Sequence, residues 1–290
     1  MKLTAMILTA ALAAALVPWA AHAQPRSDLV KAELLADVDS VKPGQPFTLG
    51  VLLRIEKGWH VYWENPGDSG MATHVQITAS DGWKVEPVQL PVPVKFEQPG
   101  KMVGYGYLDR VLLMTKVTPP ATLDSADKST LRAAVSWLCC EKVCTPGSAK
   151  LELSLPVGEA RPAHRELFDE WRPRVPVDAA AANVKTNAIG SVDAGGALGS
   201  IILAVNWDEP VKDVQWFPGP SDTLNISDVS VTPAEDGKSA RVTFKTRVLA
   251  GQKLDADSLP SVVAYTDQNG VRRGVKVDVP LKAKAVRFSP

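Results

Sequence analysis

The chain has 290 residues, of which 45% are hydrophobic, and its 32 Lys and Arg residues balance 32 Asp and Glu residues. A net charge of zero excludes the basic surface that proteins use to bind nucleic acid through its phosphates, and an acidic tail is absent as well. This length suits two domains of ~100–150 residues, each able to bury a core of its own.

The amino terminus has the pattern of a cleavable signal peptide. Lys2 supplies a positive charge, the apolar run Ala5–Ala21 follows, and the run ends in the small-x-small sequence Ala21-His22-Ala23. A transmembrane anchor is the alternative, but Pro18 interrupts the run. We predict a signal peptide at residues 1–23 and an exported chain. No later stretch approaches ~20 apolar residues, so we expect no transmembrane segment in the mature chain.

The first region after the signal, residues 24–160, is predicted to be a β-sandwich. Short segments with alternating apolar residues are separated by Pro-Gly turn signals, which is typical of such folds. The predicted strands include Gln45–Ile55, Val111–Val117, Leu131–Trp137 and Leu151–Pro156.

A helical connector is predicted next, at residues 161–183. Ala163–Arg172 carries Leu167, Phe168 and Trp171 at helical spacing, and prolines follow it. A second β-sandwich is predicted at residues 184–290, where further segments alternate and Asp267–Gly270 forms a hairpin turn. The predicted fold class is therefore mainly β, with two sandwich domains joined by a short helix.

Three cysteines lie within six residues of each other, at Cys139, Cys140 and Cys144. A structural disulfide gains stability by closing a long loop, and this cluster can close almost none. In an exported protein such a cluster indicates redox chemistry rather than architecture. A strand is predicted to end near Trp137, and Pro146-Gly147 is predicted to force a turn before the next strand, which places the cysteines between two neighbouring strands.

The pairing within the cluster is left open by this reasoning. Consecutive residues of a strand point to opposite faces, so Cys139 and Cys140 should differ, one facing the core and the other the site. We favour Cys140 as the partner of Cys144. Cys139 is then either a small buried hydrophobe or an auxiliary thiol. Lys142 would favour a thiolate nearby and Glu141 would oppose one.

Other chemistries for the cluster have specific requirements. A zinc site normally takes four ligands, and no second cysteine pair is present. A Cu(I) site formed by Cys139, Cys140 and Cys144 is the alternative that the spacing allows. Nucleophilic catalysis needs a paired histidine. His60 and His74 lie in the same region, but nothing in the sequence brings either of them near Cys140.

Four segments together resemble the periplasmic amino-terminal region of the DsbD/ScsB family of protein-disulfide reductases. The most specific is WLCCEKVCTPG at Trp137–Gly147, which is similar to the family pattern Trp-Leu-x-Cys-x-x-x-Cys-x-Pro-Gly. The others are Gly58–Gly70, Pro91–Phe96 and Gly104–Tyr107, and a weaker likeness extends through Ala264–Arg273. The resemblance implies that Cys140 and Cys144 are the redox pair and that Cys139 is a variable position.

The resemblance also implies a fold and a function. It implies an immunoglobulin-like domain whose dithiol receives electrons from a membrane-embedded thiol donor and passes them to periplasmic thioredoxin-like or disulfide-isomerase proteins, without a cofactor. A cap loop within Phe96–Tyr105 is expected to cover the pair, and Tyr105 is a candidate modulator. The membrane domain and the thioredoxin-like domain of longer family members are not in this sequence. A separate protein is therefore expected to supply the electrons, or else the domain handles copper.

Overall fold

The computed structural model describes residues 29–123, 128–192, 199–254 and 256–281. The predicted signal peptide at residues 1–23 therefore lies outside the described residues. Ten strands form the first sandwich: β1 (Val30–Ala36), β2 (Phe47–Ile55), β3 (His60–Gly67), β4 (His74–Thr78), β5 (Lys84–Val85), β6 (Val94–Gln98), β7 (Met102–Leu108), β8 (Arg110–Thr118), β9 (Lys128–Cys140) and β10 (Cys144–Pro156).

The ten strands divide into two sheets. One has the order β1-β2-β8-β5, and the other has the order β10-β9-β3-β7-β6, with β4 paired to β9. Alternation places one face of each strand between the sheets, where Leu49, Val51 and Leu131 are almost completely buried. The sheet that contains β9 and β10 carries the cysteine cluster.

The connector begins on the first sandwich and ends on the second. Helix α1 (Arg165–Trp171) buries Phe168 and Trp171 in the core of the first sandwich, and a 3-10 turn (Arg172–Arg174) follows it. The predicted helix start at Ala163 was wrong, because His164 has a φ of 49° in the left-handed region, where a helix cannot continue. Beyond the helix, β11 (Val177–Asp178) joins the second sandwich and a 3-10 turn at Ala179–Ala182 follows.

Within the described residues, the second sandwich consists of two sheets of four strands each. Their orders are β11-β18-β17-β14 and β12-β13-β16-β15. These strands are β12 (Lys185–Ser191), β13 (Gly199–Asn206), β14 (Lys212–Pro218), β15 (Leu224–Pro233), β16 (Ser239–Val248), β17 (Ser258–Thr266) and β18 (Arg272–Pro280). The predicted fold class, two β-sandwiches with a short helix between them, is confirmed.

The second sandwich contributes directly to the core of the first. Phe217 of β14 is fully buried, with its ring centroid 6.1 Å from that of Trp63 and 5.3 Å from that of Tyr105. Polar contacts surround this apolar contact. The Nδ2 atom of Asn65 donates to the Pro218 carbonyl at 2.9 Å, and Nη2 of Arg272 donates to the Pro93 carbonyl at 3.1 Å. The two sandwiches therefore share buried surface.

Candidate redox site

A disulfide joins Cys140 and Cys144 at the end of the β9–β10 hairpin. The two residues are directly paired in the antiparallel register, and their Cα atoms are 4.2 Å apart. The three residues between them form the exposed turn, in which the Glu141 amide donates to the Val143 carbonyl at 3.2 Å. Strand pairing therefore holds the two cysteines together, and the bond is the one that the sequence favoured.

The predicted turn at Pro146-Gly147 was wrong, because both residues lie inside β10, opposite Leu138 and Trp137. β10 is the outer strand of its sheet, so the missing amide of Pro146 need not cost a ladder hydrogen bond. Gly147 is needed for packing, since a Cβ at this position would lie 2.4 Å from the indole nitrogen of Trp137.

The two cysteines of the bond differ in exposure. Cys140 is only 2% exposed, whereas Cys144 lies on the exposed side of the hairpin end. A partner thiol can therefore approach Cys144 more easily than Cys140. Glu141 and Lys142 are exposed beside it, where solvent screens their charges. They lie in the turn between the two cysteines, and their role as modulators remains a prediction.

Cys139 points away from the disulfide. It is 1% exposed and belongs to the core between the sheets, as expected if it and Cys140 face opposite sides of β9. Burial raises the pKa of its thiol to about 11. The three cysteines therefore do not converge on one face. Within the described residues, no group of three or more His, Cys, Asp or Glu side chains is placed to hold a metal ion.

The Cu(I) alternative with Cys139, Cys140 and Cys144 as ligands remains a prediction, and this arrangement does not favour it. Cys139 would have to leave the core to join the other two sulfurs. Titration of the reduced protein with Cu(I) against a competing chelator tests the alternative. Binding no tighter than that of a generic dithiol would contradict it.

Tyr105 does not lie beside the sulfurs. It is 7% exposed in the core of the first sandwich and packs against Phe217, and burial raises its pKa to about 12. The neighbouring Gly104 leaves room for the ring of Phe96, its partner on β6, because a Cβ on Gly104 would lie 2.3 Å from that ring. A role for Tyr105 as a modulator of the pair is thus limited to packing.

His60 is the residue that the sequence reasoning missed. It lies directly opposite Cys140 in the β3–β9 register and is 8% exposed. Its Nε2 atom is 3.2 Å from the Tyr62 hydroxyl, and its ring centroid is 4.2 Å from that of Phe96. The only available signal was the placement of His60 and Tyr62 two residues apart on a strand, and that pattern does not specify the partner strand.

The segment expected to form a cap, Phe96–Tyr105, lies within the β6–β7 hairpin. Phe96 is half-buried, and its ring centroid is 4.2 Å from that of His60 and 6.1 Å from that of Tyr62, while the His60 and Tyr62 centroids are 5.1 Å apart. Two aromatic rings thus pack against the residue that faces Cys140.

We predict different rates of alkylation for the three thiols. In the reduced protein at pH 8, iodoacetamide should modify Cys144 first and Cys139 last. With a pKa of about 11, only about one Cys139 thiol in a thousand is ionised at that pH. The rate at Cys139 should rise as the pH rises toward 11, because the thiolate is the reactive form. Mass spectrometry of timed samples measures this order. Modification of Cys139 as fast as Cys144 in folded protein would contradict it.

Comparison with known proteins places this hairpin disulfide in a defined class of domain. The family described as the N-terminal part of the thiol:disulfide interchange protein DsbD matches residues 26–156. The match supports a DsbD N-terminal-like domain over residues 26–156, in line with the resemblance seen in the sequence. A search of curated proteins found no match.

A solved structure resembles this chain beyond residues 26–156. The N-terminal periplasmic domain of ScsB from Proteus mirabilis aligns with a TM-score of 0.63 at 17% identity, covering 89% of this chain and 96% of that chain. At this identity the likeness concerns the fold, which includes both sandwiches. BcpA, the major pilin subunit of Bacillus cereus, aligns at a TM-score of 0.30 and 8% identity over 86% of this chain and 66% of that chain, too low to support an argument.

In the part of the chain that the structure describes, no helix is long and apolar enough to cross a membrane.

Proposed function

We propose that this protein is a periplasmic thiol–disulfide interchange module that relays electrons between partner thiol proteins through Cys140 and Cys144. The observation that carries the proposal is the Cys140–Cys144 disulfide at a hairpin end of a DsbD N-terminal domain, with one cysteine exposed and the other buried. The predicted signal peptide at residues 1–23 supports export to the periplasm.

The exposure of the cysteines defines the order of exchange. A thiolate of the electron donor attacks the Sγ atom of Cys144, and the electron pair of the broken disulfide goes to Sγ of Cys140. The second thiol of the donor then displaces Cys144, which leaves the protein as a dithiol and the donor oxidised. In the second half, the Cys144 thiolate attacks the disulfide of the acceptor, and Cys140 attacks Cys144 to release the reduced acceptor.

The proposed partners follow from this cycle. A membrane-embedded thiol protein is the proposed donor, and a thioredoxin-like or disulfide-isomerase protein is the proposed acceptor. Each must dissociate before the other binds, so we expect small interfaces below ~1,200 Å² around Cys144. The β6–β7 hairpin with Phe96 is proposed to act as the cap that shields the pair between encounters.

Trapping of mixed disulfides tests the proposal. The variant Cys140→Ala keeps the exposed thiol, and Cys144→Ala keeps the buried one. Expressed in the native envelope, Cys140→Ala should capture thiol proteins about tenfold more efficiently, because accessibility limits attack. Affinity isolation without reductant, followed by mass spectrometry, identifies the captured proteins. The double variant lacking both thiols is the control. The relay would be contradicted if neither single variant captured any thiol protein.

A further inference from the structure

The exchange cycle creates an electrostatic problem at Cys140. Whenever Cys144 is held in a mixed disulfide, Cys140 must be able to exist as a thiolate, yet its side chain is only 2% exposed. Burial disfavours the charged form of a thiol. A buried thiolate therefore needs a hydrogen-bond donor from the protein, because water reaches it poorly.

His60 occupies the position from which such a donor can act. In the β3–β9 register it is directly opposite Cys140, and residues opposite each other in an antiparallel pair project from the same face of the sheet. Burial lowers the pKa of the imidazole, which keeps the ring neutral with a single N–H. β6 contributes the apolar Phe96 to this environment, and Leu108 of β7 is also opposite His60.

A chain of hydrogen bonds favours the tautomer of the His60 ring that carries its hydrogen on Nδ1. Ser69 Oγ donates to Gln98 Oε1 at 2.5 Å, and Gln98 Nε2 donates to the Tyr62 hydroxyl at 3.2 Å. Since the Tyr62 oxygen already accepts from Gln98, its own proton is available for Nε2 of His60, 3.2 Å away. The neutral ring then carries its hydrogen on Nδ1.

We propose that His60 donates a hydrogen bond from Nδ1 to the Cys140 sulfur and stabilises its thiolate during exchange. The inference rests on the proposed function, and it assigns to His60 a catalytic role at the reacting sulfur. When a dithiol attacks Cys144, its sulfur bonds to Cys144, and the electron pair of the Cys140–Cys144 bond becomes the thiolate of Cys140. A leaving thiolate with a lowered pKa departs faster, and in the reverse step more Cys140 is ionised for attack.

The pKa of Cys140 provides a direct test. In the whole mature chain carrying Cys139→Ala and Cys144→Ala, Cys140 is the remaining thiol, and thiolate absorbance near 240 nm reports its ionisation. Adding His60→Phe keeps an aromatic ring but removes the donor, so the pKa of Cys140 should rise by about one unit or more. His60→Asn, which retains an N–H donor, should restore at least half of that shift.

Two further variants separate this role from a general effect on folding. Tyr62→Phe leaves His60 in place but breaks the chain, and it should raise the pKa of Cys140 by a smaller amount. His74→Phe alters an exposed histidine of the same sandwich and should change nothing. Far-UV circular dichroism and thermal unfolding identify any variant that fails to fold. If His60→Phe does not fold, the pKa of Cys140 in Tyr62→Phe tests the proposal.

A kinetic measurement completes the test. Reduction of the Cys140–Cys144 bond by dithiothreitol should slow about threefold to tenfold in the His60→Phe variant, because Cys140 becomes a poorer leaving group. Unchanged ionisation of Cys140 and an unchanged rate in a folded variant would overturn the proposal. Neither measurement uses a partner protein. A failed relay would show in the trapping experiment, whereas a failed role of His60 would show only in the pKa of Cys140 and in the rate of reduction by dithiothreitol.

Discussion

The double substitution Cys140→Ser and Cys144→Ser is expected to reduce thiol–disulfide exchange to the rate of the reaction without protein, a loss of at least about a thousandfold. A serine hydroxyl neither forms a disulfide nor ionises near neutral pH, so both halves of the cycle stop. The assay for this loss is the reduction of a disulfide-bonded thioredoxin-like substrate. The rate is read from the consumption of the reduced electron donor.

The matched control is Cys139→Ala. This residue is adjacent to Cys140 but lies in the core, and its substitution removes a thiol without touching the pair. We expect exchange to persist and the free energy of unfolding to fall by about 1 kcal/mol. Persistence of exchange in the double variant would show that the disulfide is structural and that the protein acts only as a partner-binding module. Loss of exchange in Cys139→Ala alone would instead make Cys139 an auxiliary thiol of the cycle.

Phe217→Ala is expected to destabilise the first sandwich, although the residue belongs to the second. The ring is 0% exposed and packs against Trp63 and Tyr105, so its removal leaves a cavity where the two sandwiches meet. Truncation of a buried phenylalanine typically costs about 3–5 kcal/mol. Denaturant unfolding followed by tryptophan fluorescence measures the change, with far-UV circular dichroism as a second probe.

The control for this prediction is Ile202→Ala on β13 of the same sandwich. Ile202 is 39% exposed, so we expect its truncation to change the free energy of unfolding by no more than about 0.5 kcal/mol. A cost near that value for Phe217→Ala would mean that the sandwiches are independent and that the second is only a spacer. A large cost would mean that the redox domain depends on its neighbour for stability.

The strands of this protein could be predicted well because their signal is local. In β13 and β16, buried and exposed residues alternate, as the two-residue repeat of a strand with one buried face requires. The opposite orientations of Cys139 and Cys140 follow from the same repeat. Predicted turns were less secure, because Pro146 and Gly147 are turn residues by preference but are tolerated in an outer strand.

The sequence by itself favoured the Cys140–Cys144 pairing that the structure shows, because both cysteines and the residues around them lie within one short segment of the chain. Only the tertiary structure decided that His60 faces Cys140, 80 residues farther along the chain, and that Phe217 completes the core around Trp63 and Tyr105. The physical reason is that periodicity shows which face of a strand is buried but does not specify the strand or domain against which it packs. The pairing of strands and the packing of the two sandwiches depend on the free energy of the whole fold.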